Sequence, residues 1–215
     1  MEIKRGQHCT VLGNIGSGKT FFNRNGLLPP SSRIIVLDSE EDDYPDFPAV
    51  GVEKAVRLAK SNYSFVVRVP TTGVRENDEA LLESLCMGLL KSGHDLTLLI
   101  EEATDYSDAS YIPPYLRALM RRARHRNISV IISTQRPAML SKDYYALSVH
   151  HFAFYLSQYD TSHVKDYAPY LSERMEEIPY GSFRCLYEAP DGSVTVLAPV
   201  SEYDWSNRLK KRRII

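Results

Sequence analysis

Gly13-Asn14-Ile15-Gly16-Ser17-Gly18-Lys19-Thr20 fills every specified position of the pattern G-x-x-x-x-G-K-[ST]. An apolar run, Cys9-Thr10-Val11-Leu12, precedes it, and a segment expected to be helical from Lys19 to about Asn25 follows. That strand–loop–helix setting is the one a phosphate-binding loop requires. Glycines let the backbone curl around an anion with its N–H groups turned inward. The positive end of the following helix adds to the field. Gly13 through Thr20 are therefore expected to cradle a nucleotide's phosphates. Lys19 is expected to reach the β- and γ-phosphates, and the Thr20 hydroxyl to hold Mg²⁺.

Working outward, apolar runs alternate with helical spacings. Arg33–Asp38 and Leu96–Ile100 read as buried strands, each followed by acidic residues. Ser64–Val69, Ile128–Ile132 and His150–Leu156 read as three more. Helices are expected over Val52–Ser61, Glu76–Lys91 (closed by Ser92-Gly93), Pro114 to about His125, Thr161–Asp166 and Leu171–Glu177. Phe183–Tyr187 and Val194–Leu197 flank Asp191-Gly192, a hairpin signal. Alternation of this kind implies an α/β fold with a mainly parallel sheet covered on both faces and right-handed crossovers. The expected architecture is a three-layer P-loop NTPase of RecA/ASCE type with a C-terminal hairpin.

Composition bounds the rest. With 215 residues and 43% hydrophobic content, one domain over residues 1–200 and a basic tail over 201–215 are expected. No apolar run reaches 18 residues, so no membrane-spanning helix is expected, and Met1–Arg5 lacks the apolar segment of a signal peptide. Cys9, Cys86 and Cys185 are widely spaced and fit apolar fillers in a reducing compartment. The net charge of −1 speaks against a globally basic nucleic-acid binder, but charge is uneven. Glu40, Glu41, Asp42, Asp43 and Asp46 form an acidic cluster. Arg117, Arg121, Arg122, Arg124 and Arg126 form a basic one, and Arg208, Lys210, Lys211, Arg212 and Arg213 another.

Ligands of parallel sheets sit at the carboxyl ends of the strands. Gly13, Glu101, Glu102 and Gln135 all fall there. Two adjacent acids ending a strand suit a nucleotide-hydrolysing site: Glu101 is assigned to the metal, Glu102 to the attacking water. Gln135 is either a contact to the γ-phosphate or a capping residue before Arg136-Pro137. Composition alone does not distinguish Arg124 from its neighbours. His150-His151 reads as packing at a strand start.

The phosphate loop, Leu96-Thr97-Leu98-Leu99-Ile100-Glu101-Glu102-Ala103, Arg122-Ala123-Arg124-His125-Arg126-Asn127-Ile128 and Ser133-Thr134-Gln135-Arg136-Pro137 together resemble the HerA/FtsK superfamily of DNA-pumping ATPases. The resemblance covers roughly residues 7 to 140. It points to the genome-packaging ATPases of turreted icosahedral archaeal viruses and related membrane-containing viruses. It implies a homo-oligomeric ring, usually a hexamer, drawing double-stranded DNA through its centre. It further implies MgATP on Lys19 and Thr20, water activation by Glu102, γ-phosphate sensing by Gln135, and Arg124 as a finger given in trans. The family usually has Asp where this chain has Glu101.

The expected function is thus an ATP-driven packaging translocase that hydrolyses ATP between subunits. It would act in the host cytoplasm during assembly or stay with the virion, near capsid or membrane-associated viral proteins. Its gripping loop would be Thr71–Asn77, with Arg75, or Asp105–Ser110. The alternative is a nucleotide-dependent assembly or switch protein with slow hydrolysis and no pumping. A small-molecule kinase is a third and weaker option, for it lacks an obvious acceptor site.

Overall fold

The computed structural model describes residues 3–28, 33–39 and 43–205. Connector 29–32, acids Glu40, Glu41 and Asp42, and the basic run from Arg208 to Arg213 lie outside the described residues. Eight strands form one sheet in the order β3-β2-β4-β5-β1-β6-β7-β8. They are β1 (Cys9–Leu12), β2 (Arg33–Asp38), β3 (Val66–Pro70), β4 (Leu96–Ile100), β5 (Ile128–Thr134), β6 (His150–Ala153), β7 (Cys185–Glu188) and β8 (Val194–Leu197). The first six run parallel, and β7 and β8 add an antiparallel hairpin. This is the mainly parallel α/β sheet with a C-terminal hairpin that the sequence pattern implies.

The central strands are buried along their whole length, as continuous apolar runs between two covered faces should be. Alternate residues feed two cores. Ile35, Leu37, Leu98, Ile100, Val130 and Ile132 face one side. There α2 (Val52–Lys60), α3 (Arg75–Ser92) and α4 (Pro114–Arg122) pack. Leu82, Leu85, Cys86 and Leu89 of α3 are fully buried, and each leucine contributes roughly 1.5–3 kcal/mol. Helices α2 and α3 meet closely at Gly88, where a Cβ would stand 2.5 Å from Cγ2 of Val56.

Ile34, Val36, Leu99 and Ile131 face the other core. That layer is thinner than a full helical layer. It consists of α1 (Lys19–Phe22), the π-helical turn Asn23–Leu27 that continues it, and aromatic segments around Tyr44, Phe47 and Trp205. Phe22 anchors α1 with its ring centroid 5.1 Å from Phe152 and 5.3 Å from Phe154. Trp205 is buried edge-on to Phe47 and Tyr203, so the folded part of the chain runs into the segment expected to be tail.

Several boundaries differ from the sequence expectation. The fourth helix gives way to a 3₁₀ turn over Ala123–Arg126. The two short C-terminal helices start earlier, as α6 (Gln158–Val164) and α7 (Pro169–Glu173). Helix α5 (Lys142–Leu147) was not expected; Ser141 caps it by accepting from the Asp143 N–H. Gly93 closes α3 with an ordinary φ of −72°, not a left-handed one. Space is what favours glycine there, because a Cβ would stand 3.0 Å from the Leu89 carbonyl oxygen.

Candidate nucleotide-binding site

Strand register brings the candidate residues together. Leu12 of β1 lies beside Thr134 of β5, so Gly13 and Gln135 leave the sheet side by side. Ile100 of β4 lies beside Ile132, so the next residues, Glu101 and Glu102, emerge against Ser133 and Thr134. One pocket is lined by Lys19, Thr20, Ser39, Asp43, Glu101, Glu102, Ser133 and Gln135. Five residues assigned to the phosphate site from sequence thus share a single pocket. Ser39, Asp43 and Ser133 join them.

Gly13 is tightly enclosed: a Cβ there would stand 2.7 Å from both Phe154 Cβ and Ser17 Oγ. Gly16 and Gly18 take φ of 73° and 98°, which side chains other than glycine rarely adopt. Lys19 is buried, and its ammonium donates to the Asn14 carbonyl at 3.2 Å. The Thr20 hydroxyl points to the Asp43 carboxylate at 3.5 Å.

The twin acids have different surroundings. Glu101 is buried; its Oε1 accepts from Asn23 Nδ2 at 3.0 Å and from the Tyr44 hydroxyl. Burial pushes its carboxyl pKa up, and hydrogen bonds from Tyr44 and Asn23 oppose that shift. Glu102 sits in the left-handed region at φ 46°, ψ 64°. That unusual backbone turns its carboxylate back to the end of β5. There it accepts from Thr134 Oγ1 at 2.8 Å, from the Gln135 N–H at 2.7 Å and from Thr104 Oγ1.

Asn14 has a role its position in the loop did not reveal. Its Nδ2 donates to Asp160 Oδ2 at 2.7 Å and to the Gln135 carbonyl at 3.5 Å, while its Oδ1 accepts from the Ser157 N–H. Ser157 caps α6 and also donates to Asp160 at 2.7 Å. The only signal in the sequence was Ser157-x-x-Asp160, a helix-start pattern that says nothing of its partner.

Arg124 is exposed on the 3₁₀ turn before β5, at the opposite end of that strand from Gln135. It does not join the pocket of its own chain. His150 and His151 are buried in hydrogen bonds and ring stacking, as a packing role requires. The expected 71–77 loop ends at Val74, because Arg75 to Asn77 form the first turn of α3; Arg75 there joins the 105–110 segment through an ion pair to Asp108 of 3.4 Å.

Among the described residues no cluster of three or more His, Cys, Asp or Glu forms a metal cage. Mg²⁺ needs none, since it keeps several waters and takes only one or two protein oxygens beside the phosphates. The Thr20 hydroxyl with Asp43 close by is a donor set of that kind. No described helix is long and apolar enough to cross a membrane.

The fold is that of the P-loop NTPases found in DNA-packaging and conjugation machines. It superimposes on the genome-packaging NTPase B204 of Sulfolobus turreted icosahedral virus 2, crystallised with sulfate, with a TM-score of 0.77 at 17% identity, over 94% of this chain and all of B204. B204 has also been solved with ATPγS, AMPPCP and AMP. The pCW3 conjugation coupling protein TcpA aligns over 99% of this chain and 67% of its own, with a TM-score of 0.64 and 15% identity. In sequence, protein P9 of Pseudoalteromonas phage PM2 is 25% identical over 138 residues. That match spans 63% of this chain and 62% of P9, just under two thirds of the relative's length. No protein-family model matches the chain.

Proposed function

We propose that this chain is an ATPase that drives double-stranded DNA into a viral capsid. The observation that carries the reading is the shared pocket of Lys19, Thr20, Glu101, Glu102 and Gln135 at the mouth of the phosphate loop. The fold likeness to B204, a genome-packaging NTPase, supports the packaging context.

The residues divide the work as follows. The loop's N–H groups and Lys19 hold the β- and γ-phosphates. Mg²⁺ would be held by Thr20, with Glu101 or Asp43 through water, and would offset the phosphate charge. Glu102 takes the proton of the attacking water. Its carboxylate is aimed by Thr134 and the Gln135 N–H, so that a change at Gln135 reaches the base directly. Arg124 acts on a neighbouring subunit's γ-phosphate in this reading, which its exposure and its distance from its own pocket support. A ring, hexameric in this reading, supplies that neighbour. Segments 71–77, which includes the first turn of α3, and 105–110 are the candidates for contact with DNA. Capsid or membrane-associated viral proteins are the expected further partners, in the host cytoplasm during assembly or in the virion.

The test is to measure ATPase rate and assembly size together, with and without duplex DNA. Hydrolysis should rise with DNA, and only in assembled protein. A monomer hydrolysing ATP at a DNA-independent rate would overturn the translocase reading.

One observation favours a second reading, a nucleotide-dependent switch with slow hydrolysis. Glu101 stands where the resembled family usually has Asp, and its Oε1 is engaged by Asn23 and Tyr44. A translocation assay on long and short duplex tracks separates the two: a switch protein shows nucleotide-dependent binding but no movement.

A further inference from the structure

The pocket has a direction. Strand β1 lies between β5 and β6. Glu102 and Gln135 stand on the β4–β5 side of the phosphate loop. On the reading above the γ-phosphate faces them, so the nucleoside must leave on the other side, towards β6 and β7.

The turn preceding β7 presents two aromatic rings there. Tyr180 and Phe183 are 66% and 54% exposed. Both lie against the phosphate loop itself: a Cβ at Gly16 would stand 3.2 Å from the Tyr180 hydroxyl, and one at Gly18 would stand 3.0 Å from Cδ1 of Phe183. Tyr155, at the end of β6, braces Tyr180 edge-on, with ring centroids 5.2 Å apart. Phe183 also has φ of 53°, a left-handed conformation that a bulky side chain rarely adopts and that strains the backbone. An exposed phenylalanine in a strained backbone adds little to folding, because its ring is not buried. What the strain does is set the ring beside the loop.

We propose that Phe183, with Tyr180 braced by Tyr155, is the stacking platform for the purine base of the nucleotide whose phosphates lie in the Gly13–Thr20 loop. This rests on the nucleotide-site reading and names the part of the chain that grips the nucleoside. Stacking on an aromatic face is tolerant of base identity. The platform therefore supplies affinity for ATP over bare phosphate chains and discriminates only weakly between ATP and GTP.

The experiment compares ATP with inorganic tripolyphosphate, each with Mg²⁺, on wild type, Phe183→Ala, Phe183→Gly and Phe183→Tyr. Loss of a base stack should weaken ATP about 5- to 150-fold in the Ala and Gly variants, with tripolyphosphate unchanged and ATP binding kept by Tyr. The Gly variant should also unfold at a higher denaturant concentration, as the φ strain is relieved, so that weaker ATP binding cannot be put down to damaged folding. Unchanged ATP affinity in both Ala and Gly overturns the platform alone. Equal weakening of both ligands also overturns it, since Phe183 would then act by supporting the phosphate loop. A wild type that binds neither ligand overturns the nucleotide-site reading and the platform with it.

Discussion

Glu101 and Glu102 are consecutive, yet one is buried under Tyr44 and Asn23 and the other is turned out by a left-handed backbone towards Gln135. Their roles should separate accordingly. Glu102→Gln is expected to lower ATP turnover by roughly 10²–10⁴, the usual worth of a general base, while ATP still binds. Single-turnover hydrolysis and equilibrium nucleotide binding on the same preparation check this. Loss of binding in parallel with turnover would make Glu102 a structural residue. Most of the pocket's lining was legible at this scale, because a phosphate loop and strand-terminal acids are local patterns. Asp43 was not. It belongs to an acidic run in sequence, and only the tertiary fold, which sets it beside α1, carries it to Thr20. Phe183 was hidden for the same reason, as an aromatic counted among hairpin residues whose value comes from lying against Gly18.

Elements hold that geometry through a few close contacts. Helix α2 crosses α3 at Gly88, where a methyl group would collide with Val56. Alanine has the higher helix propensity by about 1 kcal/mol, but overpacking against a β-branched side chain costs about 1–3 kcal/mol. Gly88→Ala should therefore destabilise by up to about 2 kcal/mol in urea unfolding; a gain in stability would show that the helices can part. His8 joins β5 to α4. Its Nδ1 accepts from the Val130 N–H at 3.0 Å, which leaves Nε2–H to donate to the Met120 carbonyl at 2.8 Å. Burial holds its pKa below the ordinary 6.5. The unfolded chain therefore binds this proton first, so His8 contributes stability above about pH 6.5 that is lost as pH falls. The slope is at most about 1.4 kcal/mol per pH unit for one proton. Denaturant midpoints between pH 7 and 5 should fall more steeply for wild type than for His8→Gln. The strands that carry the site were readable as apolar runs. Helix α5 was not: it is six residues long, opens on two charged residues, and depends on the Ser141 cap and buried Tyr144 rather than on a periodic stripe.

For the whole molecule, the proposed finger and the proposed base are at opposite ends of β5, so the proposed function pairs them across two subunits. Arg124→Ala and Glu102→Gln should each lower turnover by at least about 10² alone. Mixed before assembly, they should recover a measurable fraction of activity, because some interfaces then pair an intact Glu102 with an intact Arg124. An inert mixture that still forms rings would refute the trans arrangement. Duplex affinity should fall linearly with salt on logarithmic axes, at about 0.9 per phosphate contacted. A salt-independent affinity would speak against backbone tracking. The mainly parallel sheet was legible from the alternation of strand and helix signals. Burial of Trp205 was not, because a lone aromatic beside a basic run gives no hint that it closes the second core.

The Asn14 amide ties its own loop to two other segments: the Gln135 peptide at the end of β5, and the Ser157–Asp160 corner that begins α6. Through that one side chain, a push on the corner has a route to the cradle that avoids the stiff strands. A change in where α6 begins would thus be felt at the mouth of the phosphate loop.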